Sequence, residues 1–115
     1  MAERIYKIAR PYEWAEAEKN GVFSGSADDK RDGFLHFSAE HQVRGTVARH
    51  FAGDKLLLLV AIFSDALGSS LKWEASRGGD KFPHLYGVFP LSAVISVAEL
   101  RRGPDGAFEF PPEIP

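Results

Sequence analysis

The sequence predicts an α+β fold in a single domain, and three observations carry that prediction. Two helical segments fall in the first half of the chain, six or seven strand-like segments run along its whole length, and 115 residues suit one hydrophobic core. A chain of this size removes roughly two-thirds of its unfolded surface from water, so it needs no covalent staple.

The first strand is Arg4-Ile5-Tyr6-Lys7-Ile8-Ala9, whose alternation sets Ile5 and Lys7 on one face and Tyr6 and Ile8 on the other. Lys7 is then either a snorkelling cation on an edge strand or a cation facing a cleft. Pro11 suits a first helical position, Tyr12 to Asn20 holds good helix formers with Trp14 facing the sheet, and Gly21 is the residue expected just past a helix end. Phe23 to Arg31, rich in Ser, Gly, Asp and Lys, reads as a loop: a surface connection or the rim of a site.

Asp32-Gly33 is turn chemistry, and a strand follows it with Leu35 and Phe37 on one face and Phe34, His36 and Ser38 on the other. Ser38 is placed to cap a second helix from Ala39 to about Ala52, whose Val43, Val47 and Phe51 form an apolar stripe. Gly45 inside that helix costs about 1 kcal/mol relative to Ala and hints at a close backbone neighbour.

Lys55 to Phe63 is almost continuously apolar, the pattern of a central strand covered on both faces. Leu71-Lys72-Trp73-Glu74 alternates, with Leu71 and Trp73 on one face and Lys72 and Glu74 on the other. Arg77-Gly78-Gly79-Asp80-Lys81 is a flexible loop with two cations and no phosphate-binding spacing. Phe82-Pro83 forces an extended entry into His84-Leu85-Tyr86-Gly87, where His84 and Tyr86 share a face. Val94 to Leu100 and Ala107 to Phe110 read as a terminal hairpin, and residues 111–115 as a proline-rich tail poor in regular structure.

Composition narrows the chemistry. Cysteine is absent, which removes disulfides, thiolate metal sites and thiol nucleophiles and suits a reducing cytoplasm. Residues 1–4 lead into no apolar leader, and the longest apolar run is far short of the roughly 20 residues of a membrane helix, so no membrane partner is expected. Fourteen basic against sixteen acidic residues give no global attraction to nucleic acid. The side chains suited to acid, base or strong hydrogen-bond work are His36, Ser38, Glu74, His84 and Tyr86, with Lys7, Arg77 and Lys81 as anion partners. Trp73 and Tyr86 offer flat surfaces for a ring. No nucleophile elbow, dinucleotide glycine turn or zinc signature is present, and no metal is expected.

Asp32-Gly33-Phe34-Leu35-His36-Phe37-Ser38, then Gln42, Leu71-Lys72-Trp73-Glu74 and Phe82-Pro83-His84-Leu85-Tyr86-Gly87, in this order, resemble the bacterial family called domain of unknown function 952 over nearly the whole chain. The resemblance implies the fold of the ADP-ribosylation superfamily, an ADP-ribosyltransferase-like split mixed β-sheet whose active members grip NAD in a cleft. It brings no established activity. Lys7 would occupy the first-strand position where the superfamily has a histidine or arginine on the ribose of NAD, although an ammonium lacks the planar fork of a guanidinium. Leu35-His36-Phe37-Ser38 is similar to the histidine-and-serine strand of RNA 2'-phosphotransferases, which would make His36 a ribose or phosphate contact. The late-strand glutamate of active ADP-ribosyltransferases has no counterpart within Phe82 to Gly87; Glu74 is the nearest.

Three expectations follow. The first is an enzyme of ADP-ribosyl- or phosphotransferase type, with His36, Glu74 and His84 catalytic and Lys7, Ser38, Trp73 and Tyr86 on an NAD or nucleotide ligand. The second is a non-catalytic module binding a small anion or a partner in the same cleft. In the third, both histidines are structural and the surface serves oligomerisation.

Overall fold

The computed structural model describes residues 3–115 except for the side chain of Arg77, so Met1, Ala2 and the expected anion contact of Arg77 lie outside the described residues. Strand β1 (Arg4–Ala9) leads into helix α1 (Pro11–Asn20), which begins at its proline and stops at Gly21, left-handed at φ 80°. The Glu13 carboxylate closes the first turn by accepting the Arg10 backbone N–H at 2.8 Å.

Strand β2 (Val22–Phe23) follows, and then the expected loop contains a helix, α2 (Ala27–Asp32). Its residues show no apolar period, so capping defines it. The Ser26 hydroxyl accepts the Asp29 N–H at 3.2 Å, the Asp29 carboxylate accepts the Ser26 N–H at 2.9 Å, and Gly33 closes the end at φ 87°. Asp32-Gly33 is thus the end of a helix, where a plain turn was expected.

The expected strand at 34–38 is two. Strand β3 (Leu35–His36) and strand β4 (Ser38–Ala39) belong to different sheets, and the chain passes between them at Phe37. A short 3-10 turn (Glu40–Gln42) precedes helix α3 (Val43–His50), which is shorter than the expected 39–52. Ser38 does not cap it. Its hydroxyl lies 2.9 Å from that of Thr46, and the Gln42 side chain accepts the Ala39 N–H instead. Gly45 has open space where a Cβ would stand, so no close backbone accounts for it.

Strands β5 (Leu56–Phe63), β6 (Leu71–Ala75), β7 (Lys81–Leu85), β8 (Phe89–Pro90) and β9 (Val94–Arg101) complete the chain. They form a four-stranded sheet in the order β4-β1-β5-β9, a three-stranded sheet β3-β7-β6 and the pair β2-β8. All pairings among the described residues are antiparallel, so the sheet is not mixed as expected. The terminal hairpin is reduced to one bridge, Arg102 with Phe108.

Apolar side chains fill both faces of the main sheet. On one, Ile5, Ala9, Val60 and Ile62 meet Trp14 and Ala17 of α1 together with Phe23, Leu35, Leu85 and Phe89 of the smaller sheets. On the other, Tyr6, Ile8, Leu57 and Leu59 meet Val43 and Val47 of α3 and the C-terminal Phe108 and Ile114. β1 and β5 both contribute to the two cores, as the unbroken apolar run of β5 requires of a central strand, and each such buried Leu or Ile contributes about 1.5–3 kcal/mol.

Candidate functional site

A cleft opens where the main sheet loses a strand. β4 pairs with β1 only at Ile5 and Tyr6, so from Lys7 onward that side of β1 carries no paired strand among the described residues. Lys7 and Ile8 line a cavity of about 630 Å³ bounded by α2, α3 and the β3-β7 strands, within the size range of small-molecule sites.

Lys7 stands just past the last β4 pairing, where that side of β1 is open, yet it does not snorkel to water: it faces the cleft and is buried to 4% exposure. Its ammonium meets both Asp29 carboxylate oxygens at 2.9 and 3.1 Å and donates to the His36 carbonyl at 3.0 Å. An ammonium has three donors, and these three acceptors match them. Lys7 therefore builds the floor of the cleft and keeps no donor for a ligand.

Asp29 is the hub of that floor. Besides Lys7 and Ser26, it accepts the His36 backbone N–H at 3.0 Å and faces His36 Nδ1 at 2.6 Å. Burial alone would push its carboxyl up. The hydrogen bond of His36 and the charge and hydrogen bond of Lys7 outweigh burial and hold it well below the ordinary carboxylate range. His36 Nε2 lies 2.9 Å from Asp32, so both ring nitrogens face carboxylates. Only a doubly protonated ring donates to both.

The second histidine arrives on β7. His36 and His84 are directly opposed in the β3-β7 ladder, and their rings stand 5.7 Å apart, edge to face. His84 is 6% exposed and its Nδ1 lies 2.8 Å from Glu74 Oε1, which also accepts the Tyr86 hydroxyl at 2.7 Å. The hydrogen bonds of Tyr86 and His84 hold the Glu74 carboxyl below its ordinary range, and the bond to Glu74 pushes the Tyr86 phenol up. Phe34 stacks on the His84 ring at 4.1 Å and tilts against His36 at 4.6 Å, fixing both planes. An imidazole held at one nitrogen by a carboxylate has a fixed orientation and offers the other nitrogen for proton transfer.

The expected residues divide accordingly. Lys7, His36, Ser38 and His84 all reach the cleft. Glu74 and Tyr86 sit behind His84 and are not among the residues that line it, so Glu74 meets the cleft only through the His84 ring. Trp73 is a correction: it pairs with Pro83, whereas His84 pairs with Lys72, which sets the indole on the opposite face of the sheet from both imidazoles. Lys81 contributes its carbonyl, which accepts the Gln42 amide at 2.8 Å, and its side chain shares the face of Pro83. Asp29, Asp32 and Arg31, and His41, Thr46 and Arg49 on the opposite wall, line the cleft without having been expected there. One sequence signal pointed to Asp29: a serine three residues before it, as a reciprocal cap requires. Among the described residues no cluster of His, Asp and Glu is arranged to hold a metal ion, and no helix is long and apolar enough to cross a membrane.

The fold and site define a small antiparallel α+β domain with two carboxylate-bound histidines at a cleft beside the main sheet. The chain belongs to the family described as Protein of unknown function (DUF952), whose model matches residues 8–97. It is similar to protein CC0527 from Caulobacter crescentus, whose crystal structure superposes with a TM-score of 0.87 at 46% identity, covering 92% of this chain and 93% of that one. The solution structure of CC0527 gives 0.79 at 48% identity over 90% and 89%. No curated protein gave a match.

Proposed function

We propose that the cleft binds NAD or a related phosphorylated nucleotide and that His36 and His84 work on it as an acid–base pair in ADP-ribosyl or phosphoryl transfer, on an ADP-ribosylation-like fold. The observation that carries this reading is the meeting of two carboxylate-bound imidazoles, distant in sequence and 5.7 Å apart, at one cleft of nucleotide size. Glu74 keeps the His84 ring in register, Ser38 and Thr46 offer hydroxyls on the adjoining wall, and Arg49 supplies charge suited to phosphate beside the His41 ring. Lys7 serves as a structural cation beneath His36, and the departure from the superfamily's histidine or arginine follows from that use.

Millimolar NAD or ADP-ribose is expected to raise the melting temperature by several degrees, since ligand at 100 times its dissociation constant adds roughly 2.7 kcal/mol. A melting curve unmoved by NAD, ADP-ribose and mononucleotides overturns the reading. A second reading, a non-catalytic module for a small anion, is favoured by one observation: both nitrogens of His36 are already engaged by Asp29 and Asp32. Replacing His84 by Ala separates the two, because an enzyme then loses NAD turnover at saturating ligand whereas a binding module loses affinity alone.

A further inference from the structure

The Asp32 carboxylate is held as a bound anion would be. Arg31 grips it through Nε on one oxygen at 2.8 Å and Nη2 on the other at 3.1 Å, and His36 Nε2 meets that second oxygen at 2.9 Å. A guanidinium fork on a carboxylate beside an imidazole nitrogen is a recognition geometry for oxyanions, and all three side chains line the cleft. One carboxylate oxygen serves both Nη2 and Nε2, and the group carries a single negative charge where a phosphate monoester carries up to two.

The position of Asp32 suits an occupant that can leave. It is the last residue of a six-residue helix, where a negative charge meets the negative end of the helix dipole, and Gly33 beside it has open space around its α-carbon. Arg31 is two-thirds exposed and also meets Asp28 at 3.3 Å, while Asp29 holds Nδ1 of His36 whether or not Asp32 is present.

The geometry points to Arg31 and His36 as the receptor for a phosphate monoester group, with Asp32 as an internal stand-in that the ligand displaces. A phosphate gives each of the three donors its own oxygen, which the carboxylate does not. Asp32 then sets a threshold: a neutral or weakly charged ligand fails to displace it, and a dianion succeeds. The ligand class rests on the nucleotide reading of the cleft, whereas the displacement does not.

The test uses the full chain, with inorganic phosphate and ribose 5-phosphate as probes and the ring-proton resonances of His36 as the readout. Asp32→Asn is expected to tighten both probes about tenfold, the gain when an internal competitor leaves the donors free about a tenth of the time. Arg31→Gln is expected to weaken them by a similar factor, alone or combined with Asp32→Asn. Circular dichroism keeps a loss of fold from passing for a loss of binding, and Asp32→Ala carries the same expectation as Asp32→Asn. Unchanged or weaker phosphate binding in both Asp32 variants overturns the inference, as does indifference to Arg31→Gln. Nucleotide binding that ignores both substitutions overturns this inference alone. Tighter phosphate binding by Asp32→Asn, with no nucleotide bound by any variant, overturns the nucleotide reading alone.

Discussion

Asp29 has the most contacts to lose. Its side chain is 1% exposed and satisfies Lys7, Ser26 and two groups of His36, so Asp29→Asn leaves the Lys7 ammonium buried without a counter-charge. Removing one partner of such a pair costs about 3–5 kcal/mol, which denaturant melts of the variant measure. The pH dependence follows from the depressed carboxyl. In the unfolded chain Asp29 titrates near 4, in the folded chain lower, so its contribution is complete above about pH 5 and fades as the pH falls through 4 and below. The stability gap between the parent and Asp29→Asn should therefore narrow on acidification, and a gap that stays constant from neutral pH to 3 contradicts the assignment. At the other histidine, Glu74→Gln weakens the hydrogen bond that raises the Tyr86 phenol and removes the carboxylate charge that adds to it. Its ionisation, followed by ultraviolet difference absorbance with Tyr86→Phe as the blank, should move back toward the ordinary tyrosine range. The alternation of β6 and β7 made this cluster legible in the sequence, and the same alternation already set Trp73 on the face away from Glu74. Asp29 was hidden because its four neighbours on either side are polar or small, so nothing in the pattern marked it as buried.

At the scale of elements, α2 escaped the sequence reading for a physical reason. A helix this short is not stable alone, its apolar period is absent, and its ends are defined by reciprocal capping and a left-handed glycine. Helix α1 and strands β1 and β5 carry their signals in their own residues, which is why their bounds were readable to within a residue or two. Two glycines test the difference. A Cβ on Gly25, at φ 116°, would stand 2.9 Å from the Leu35 side chain and 3.0 Å from Asp29 Cβ. Gly25→Ala should cost about 1–3 kcal/mol through strain at the start of α2. Gly45, inside α3 with free space around it, should accept Ala with a gain of up to about 1 kcal/mol. Thermal melts of the two variants should move in opposite directions, and a destabilising Gly45→Ala would point to a constraint on α3 that its geometry does not contain.

At the scale of the molecule, one sheet with a core on each face was foreseeable from the apolar run of β5, but its strand order and its antiparallel pairing were not. Period-two patterns say which face a residue takes and are silent on which strand lies alongside. The tail shows the same limit. Its prolines rule out regular structure, yet Ile114 is buried against the second core and Arg44 donates to the Pro115 carbonyl at 2.7 Å. Ile114→Ala should cost about 2–5 kcal/mol in a denaturant melt, where a loose tail would leave the midpoint unmoved. The step from β3 to β4 has a wider reach. The Phe37 N–H donates to the Pro83 carbonyl at 3.0 Å while its ring is buried in the first core, and the Gln42 amide ties the entry to α3 to Lys81. The mouth of the cleft is thus stitched on two sides before any visitor arrives. Recognition then requires the shuffling of a few side chains and no folding of loops, so the observed rate of capture should climb in direct proportion to ligand concentration without reaching a plateau.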